Sequence, residues 1–375
     1  MDARTFAVAH QDDILRDIQA FVERETPSTD KSALDAFATF LAEYARRMNG
    51  DAKIIPVSER GNHVRVTWGS GSGNPVLLIG HFDTVWPIGT LEKMPFRVEA
   101  GNAFGPGIFD MKSGLAQGFW AMRILREVLG SERPVIYLCN ADEEIGSPTS
   151  RELIEHEARG AAAVFVLEPS HHGALKTGRK GVGIFHVEVS GRAAHAGLDP
   201  FAGVSAIDEL ARIILELHGL TNRETGSTVN VGVITGGTRS NVTAAHATAE
   251  VDLRVATQAE AERMTRAILG VRPHLAGAEV MITGGMNRPP MERTPDTVKL
   301  FTLAQRLAGE LGFTVEEAQV GGGSDGNFCA ALGVPVLDGL GAVGDGAHAL
   351  HEHIEVESVP LRAALLASLL ARVEL

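Results

Sequence analysis

Three short stretches of this chain are apolar almost throughout: "PVLLIG" (75–80), "PVIYLC" (134–139) and "AAVFVLE" (162–168). A strand that is apolar on both faces must be covered on both, which requires a largely parallel sheet sandwiched between helices. The segments between supply them, with helices expected near 113–129 and 149–157. After residue 290 come a helical pattern in "TVKLFTLAQRLAGEL", a strand in "PVLDGL" and a closing helix in "VPLRAALLASLLARV". Two helical patterns precede the sheet. One spaces Ile14, Leu15, Ile18 and Val22; the other spaces Leu34, Phe37, Leu41 and Tyr44, with Ser32 placed to cap it.

The middle of the chain follows a different rule. In "GIFHVEVSG", Phe185, Val187 and Val189 alternate with His186 and Glu188. In "HATAEVDLRVA", Ala249, Val251, Leu253 and Val255 alternate with Glu250, Asp252 and Arg254. Period two means one buried face and one wet face, as in an antiparallel sheet. Helices are expected near 204–217 and 258–269. The fold class is therefore α/β: a larger domain of residues 1–177 and 289–375 with a mostly parallel sheet flanked by helices, and an inserted α+β domain of residues 178–288.

A length of 375 residues fits two domains, and 44% hydrophobic with 22% charged residues suits a globular protein. The formal net charge of −13 repels phosphate backbones, so no nucleic-acid partner is expected. The two cysteines, Cys139 and Cys329, form no paired motif and fit a reducing compartment. The amino-terminal stretch carries early acids and no long apolar segment, and no membrane-spanning run appears. A cytoplasmic enzyme is expected.

Ligands of doubly wound sheets bind beyond the carboxyl ends of the strands. Here those ends carry metal-ligand chemistry. "VLLIGHFDTV" ends in His81 and Asp83, "VIYLCNADEEIG" in Glu143 and Glu144, and "VFVLEPS" in Glu168. Asp110 in "GPGIFDMKSG" precedes a helix start at Ser113, and "GDGAHALHEH" supplies His348, His351 and His353. Singly, each reads as a solvated strand end or a polar turn. Together they point to a cation site. Mixed imidazole and carboxylate ligands suit zinc. So many candidate ligands exceed what one catalytic ion with an open position needs, and suit two ions sharing a carboxylate about 3.5–4 Å apart. Neighbouring side chains on extended backbone oppose one another, so Glu143 and Glu144 are expected to do different work.

"GHFDTV", "GPGIFDMKSG", "ADEEIGS", "LEPS", "GRAAHAG", "GGGSDG" and "GAH…E" follow one another in an order that resembles the cocatalytic di-zinc peptidases and deacylases. That family includes carboxypeptidase G, acetylornithine deacetylase, succinyl-diaminopimelate desuccinylase and the aminoacylases. The resemblance runs from about residue 75 to the end. It implies a catalytic domain holding two Zn²⁺ per subunit (Co or Mn being possible substitutes), with an inserted lid through which the chain forms a homodimer. It assigns His81, Asp110 and Glu168 to one ion and Asp110, Glu144 and His348 to the other. Glu143 becomes the general base acting on a bridging hydroxide, and Asp83 the partner that orients His81. His195, in "SGRAAHAG", stabilises the oxyanion across the dimer, with Asn241 of "TRSNVT" as a companion contact.

Arg254 in "VDLRVA" and Arg288 in "MNRPP" align with basic residues that the carboxypeptidase G type uses for substrate carboxylates, and a guanidinium fork suits that group. Arg254 also lies on a wet strand face, where solvation alone explains it. Gly323 and Ser324 of "GGGSDGNF" offer close backbone approach; no "GK[ST]" follows, so a phosphate loop is disfavoured. The implied activity is hydrolysis of the amide bond to a C-terminal amino acid, with glutamate as the leading choice. The alternative is an N-acyl-amino-acid deacylase, and a remote one is a non-catalytic metal-containing binding protein.

Overall fold

The computed structural model describes residues 1–374. The two principal sheets use ten strands: β1 (Asp51–Ile55), β2 (His63–Trp68), β3 (Val76–His81), β4 (Val135–Asn140), β5 (Ala163–Val166), β6 (Gly181–Ser190), β7 (Thr228–Gly236), β8 (His246–Val255), β9 (Glu279–Arg288) and β10 (Val336–Leu337). The helices are α1 (Ala3–Ala9), α2 (Gln11–Val22), α3 (Lys31–Arg47), α4 (Ser113–Glu127), α5 (Arg151–Ala158), α6 (Ala206–Gly219), α7 (Gln258–Leu269), α8 (Pro295–Glu310), α9 (Gly326–Ala331) and α10 (Ser358–Arg372). Two compact units result. One comprises Met1–Gly178, Arg293–Val320 and Ser324–Leu375; the other comprises Arg179–Glu292 and Gly321–Gly323.

In the first unit the sheet order is β1-β2-β4-β3-β5-β10. β4, β3, β5 and β10 run parallel, while β1 and β2 are antiparallel additions at one edge. Every residue of β3, β4 and β5 is buried, as continuous apolar runs require. The late strand is shorter than "PVLDGL" suggests: only Val336 and Leu337 pair, with Val164 and Phe165. α4 is buried along most of its length. It lies so close to the sheet that a Cβ on Gly114 would stand 2.0 Å from the Leu167 carbonyl, and one on Gly118 would stand 2.7 Å from Tyr137. That approach presses the start of α4, and the Asp110 loop before it, onto the strand ends.

α2 buries Ile14, Ile18, Phe21 and Val22. α3 is capped by Asp30, whose extended backbone lets its carboxylate accept the Ala33 N–H at 3.0 Å; Ser32 lies inside the helix instead. The expected cap is thus two residues too late.

The second unit is a four-stranded antiparallel sheet in the order β7-β8-β6-β9. Phe185, Val187 and Val189 of β6 face inward with Ala249, Val251 and Leu253 of β8. They pack against Leu210, Ile213 and Leu217 of α6 and Met264 and Ile268 of α7. Among the described residues no helix is long and apolar enough to cross a membrane.

Candidate metal centre

The parallel strands deliver their carboxyl ends side by side. His81 is the last residue of β3, Glu168 lies two residues past β5, and Glu143 and Glu144 follow β4. Asp110 sits between Gly107, at φ +70°, and α4, and its peptide bond to Met111 is cis. His348 arrives from beyond β10 in a turn where its own φ is +61°, a conformation L-residues rarely adopt and which recurs at functional positions.

These side chains converge on Asp110. Its Oδ1 lies 3.2 Å from His81 Nε2, and its Oδ2 lies 3.6 Å from His348 Nε2. One carboxylate thus offers a different oxygen to each imidazole. On the first side His81 Nε2 also lies 3.5 Å from Glu168 Oε1; on the second, His348 Nε2 lies 3.2 Å from Glu144 Oε2. His81, Glu143 and Glu168 present ligand atoms all within 4.8 Å of one another, and so do His81, Asp110 and Glu144. His351 and His353 stay out of this group as described: His353 Nδ1 lies 2.9 Å from the His351 carbonyl, and its ring packs on Phe104.

The charges of the cluster offset one another around Asp110. Burial opposes a charge on His81, yet hydrogen bonds to Asp110, Asp83 and Glu168 outweigh it and hold the imidazolium well above its ordinary range. Asp110 and Glu144 raise His348 to about 10. Burial would raise Asp110, but His348 and His81 keep it ionised far below the usual carboxylate range. Burial pushes Glu144 up, against the hydrogen bond from His348. Neutral imidazoles with these carboxylates make a mixed nitrogen and oxygen donor set that fits divalent metal ions.

Asp83 is wholly buried and lies beyond the strand end rather than on it. His81 Nδ1 lies 3.0 Å from the Asp83 main-chain carbonyl and 3.3 Å from its Oδ1. The same carboxylate accepts the N–H groups of Glu143 at 3.1 Å and Glu144 at 3.2 Å, and the Ser28 hydroxyl at 2.8 Å. The premise of extended backbone at the two glutamates needs correction. Glu143–Ile145 is a 3-10 turn, pinned by Asp83, and this turn rather than strand alternation sets their directions. Ser28 left no signal in the sequence, since it lies 55 residues from Asp83. Asp142, the third acid of the run, serves the fold: it accepts hydrogen bonds from both N–H and hydroxyl of Thr149 and Ser150.

The residues expected to meet substrate are scattered in character. In the second unit, exposed His195 sits in a loop where its Nδ1 accepts the N–H groups of Gly197 and Leu198, each at 3.1 Å, and the Asn241 carbonyl accepts the Ala196 N–H. The Arg254 guanidinium is held by Asp252 at 2.9 Å. Arg288 is buried, its stem against Gly323, where an added Cβ would meet its Cδ at 2.7 Å. Ser324 belongs to the first unit, fully buried; its hydroxyl donates to Asp338 at 2.6 Å and its N–H to Asn327 at 2.9 Å. Both donors point inward, which speaks against direct contact with a substrate.

The sequence pattern of peptidase family M20/M25/M40 matches residues 77–372. Carboxypeptidase G2 of Pseudomonas sp. (strain RS-16) is 30% identical over 374 residues, covering 97% of this chain and 90% of that protein. Succinyl-diaminopimelate desuccinylase of Delftia acidovorans (strain DSM 14801 / SPH-1) is 27% identical over 322 residues, 79% of this chain and 82% of the relative. The crystal structure of aminopeptidase PepT from Bacillus cereus ATCC 10987 shares the fold with a TM-score of 0.79 at 22% identity, covering 96% of this chain and 98% of the other. The chain belongs to peptidase family M20/M25/M40 and is an enzyme of the metallopeptidase kind.

Proposed function

We propose that this chain is a two-metal amide hydrolase that releases a C-terminal amino acid, with glutamate the leading choice. The observation that carries the two-metal part is the division of Asp110, one oxygen facing His81 and the other facing His348. His81, Asp110 and Glu168 would hold one ion, and Asp110, Glu144 and His348 the other, zinc being the first choice. Divalent ions bound there supply Lewis acidity, polarising an amide carbonyl and acidifying a water.

The chain's own groups do the rest. Glu143 lies beside His81 and Glu168. As general base it accepts the proton of the attacking water and returns it to the leaving amine nitrogen. Asp83 keeps Nδ1 of His81 occupied, so that Nε2 faces the centre. His195, supplied by a second copy of the chain, and Asn241 would stabilise the oxyanion. Arg288 beside Gly323, with Arg254, would receive the substrate carboxylate. The glutamate choice rests on similarity to carboxypeptidase G2 over nearly the whole chain.

Metal analysis and a substrate panel test the reading. The purified protein should hold two metal equivalents and cleave N-acyl-glutamates and dipeptides ending in glutamate, with chelators abolishing turnover. Glu143→Ala should lower kcat by about 10²–10⁴-fold while both ions stay bound. Hydrolysis confined to N-acetyl or N-succinyl amines would instead identify a deacylase; a metal-loaded protein inert on every amide would identify a binding protein. Activity recovered on mixing His195→Ala with Glu143→Ala chains is required if the oxyanion contact crosses a dimer.

A further inference from the structure

Glu352 has no solvent exposure. Its Oε2 accepts the Trp86 Nε1–H at 2.8 Å and the Gly107 N–H at 2.8 Å. Its Oε1 accepts the Phe109 N–H at 2.9 Å and the Asp110 N–H at 3.0 Å. An ionised carboxylate in such a place costs several kcal/mol unless its lone pairs are filled. Four neutral N–H donors fill them, two to each oxygen, through charge-assisted bonds. Burial raises this carboxyl to about 7, and the N–H groups of Asp110, Gly107 and Trp86 oppose that rise.

The partners of this carboxylate are not random stretches of chain. Asp110 is the residue that faces both imidazoles. Trp86 follows His81 and Asp83 in the loop leaving β3. Glu352 itself lies four residues after His348, in a turn closed by Glu352 N–H to Ala349 C=O at 2.9 Å and Ala349 N–H to Gly346 C=O at 2.8 Å. One buried side chain therefore ties together the three segments that carry His81, Asp110 and His348. Asp83 does the equivalent for the Glu143–Glu144 turn.

We propose that Glu352 is a positioning residue of the metal centre, holding the Asp110 backbone so that its two carboxylate oxygens serve the two imidazole sides at once. This rests on the reading of Asp110 as a shared ligand. Glu352 touches neither substrate nor reacting atoms, and acts through Asp110. A carboxylate that merely stabilised the loops would, on removal, lower stability and leave the metal affinity of the folded protein untouched. A positioning residue moves the affinity.

The test uses the full-length protein, Zn²⁺ as probe and competition against a chromogenic chelator. Glu352→Gln keeps the shape but turns an amide NH₂ toward N–H donors. Its Zn²⁺ affinity should fall by about 10–100-fold, the usual effect of losing a partner that orients a ligand, with native far-UV dichroism and with kcat reduced more than KM is raised. Glu352→Asp keeps the charge at shorter reach and should lie between. Trp86→Phe removes one donor of the four and should move affinity least, in the same direction. A folded Glu352→Gln that binds two Zn²⁺ as tightly as the wild type overturns the proposal; if that variant does not fold, wild-type affinity in Glu352→Asp overturns it equally. Failure of the wild-type protein to bind two Zn²⁺ would instead sink the two-metal reading.

Discussion

His81 and His348 approach the same carboxylate from regions built on opposite principles. The His81 side chain is 2% exposed, the end of a strand buried on both faces and braced by Asp83. The His348 side chain is 50% exposed, on a turn at positive φ. The first imidazole is placed by the sheet and its cost is borne by the core. The second is placed by a local turn and faces Asp110 and Glu144. Half of the centre is therefore architecture, and half is an arm brought to it.

Removing the shared residue should erase the contrast. Asp110→Ala should weaken Zn²⁺ binding on both sides by more than about 100-fold, exceeding the loss of an outer partner, and should abolish turnover; chelator competition and steady-state assay read both. Retention of one tight equivalent would show that the two sides are independent.

Separate removal of the imidazoles should expose the contrast. His81→Ala removes the imidazole that faces the buried Asp83 and Glu168 carboxylates. The metal-free protein should lose about 3–5 kcal/mol of stability in chemical denaturation. His348→Ala should lose clearly less, since water screens a half-exposed pair. Equal losses would refute the division into core and arm.

Acidity sharpens it further. His348 is raised to about 10 in the metal-free fold, so at neutral pH it carries a proton that metal uptake must displace. Zn²⁺ uptake near pH 7 should therefore release protons, measurable with an indicator dye, and apparent affinity should rise with pH toward about 10. The sign for stability is opposite. An imidazolium pKa above its unfolded value stabilises the metal-free fold fully below about 6.5, and that contribution fades as pH rises through the folded value. Metal-free protein should thus lose stability on the alkaline side where the loaded protein does not.

The smallest expected effect concerns the brace. Ser28→Ala removes one hydrogen bond to Asp83 and should cost about 1 kcal/mol by thermal unfolding, with Zn²⁺ stoichiometry unchanged. A loss of metal with that variant would make Ser28 part of the centre rather than its support.

Much of this was legible in one dimension because strand and strand-end side chain are neighbours in sequence. An apolar run followed at once by His81 or Glu168, or a few residues later by Glu143 and Glu144, states both the strand and what its end presents. The period-two runs likewise announce the antiparallel sheet of β6 and β8. Asp110 and His348 carried no such adjacency: Asp110 was marked only by the helix start at Ser113, and resemblance to a family chose His348 over His351 and His353. His351 and His353 share the composition of His348, and only the turn at 346–352 separates them. Ser32 and Asp30 show the same limit at smaller scale, since either could cap α3 until the backbone angles choose.

The sequence by itself determined the two kinds of sheet and the imidazole and carboxylate side chains attached to strand ends, because burial patterns and chain order act over a few residues. Only the tertiary structure decided which oxygen of Asp110 meets which imidazole, and how Asp83 and Glu352 hold the loops between. Those arrangements join residues tens to hundreds of positions apart through hydrogen bonds, and no local periodicity records them.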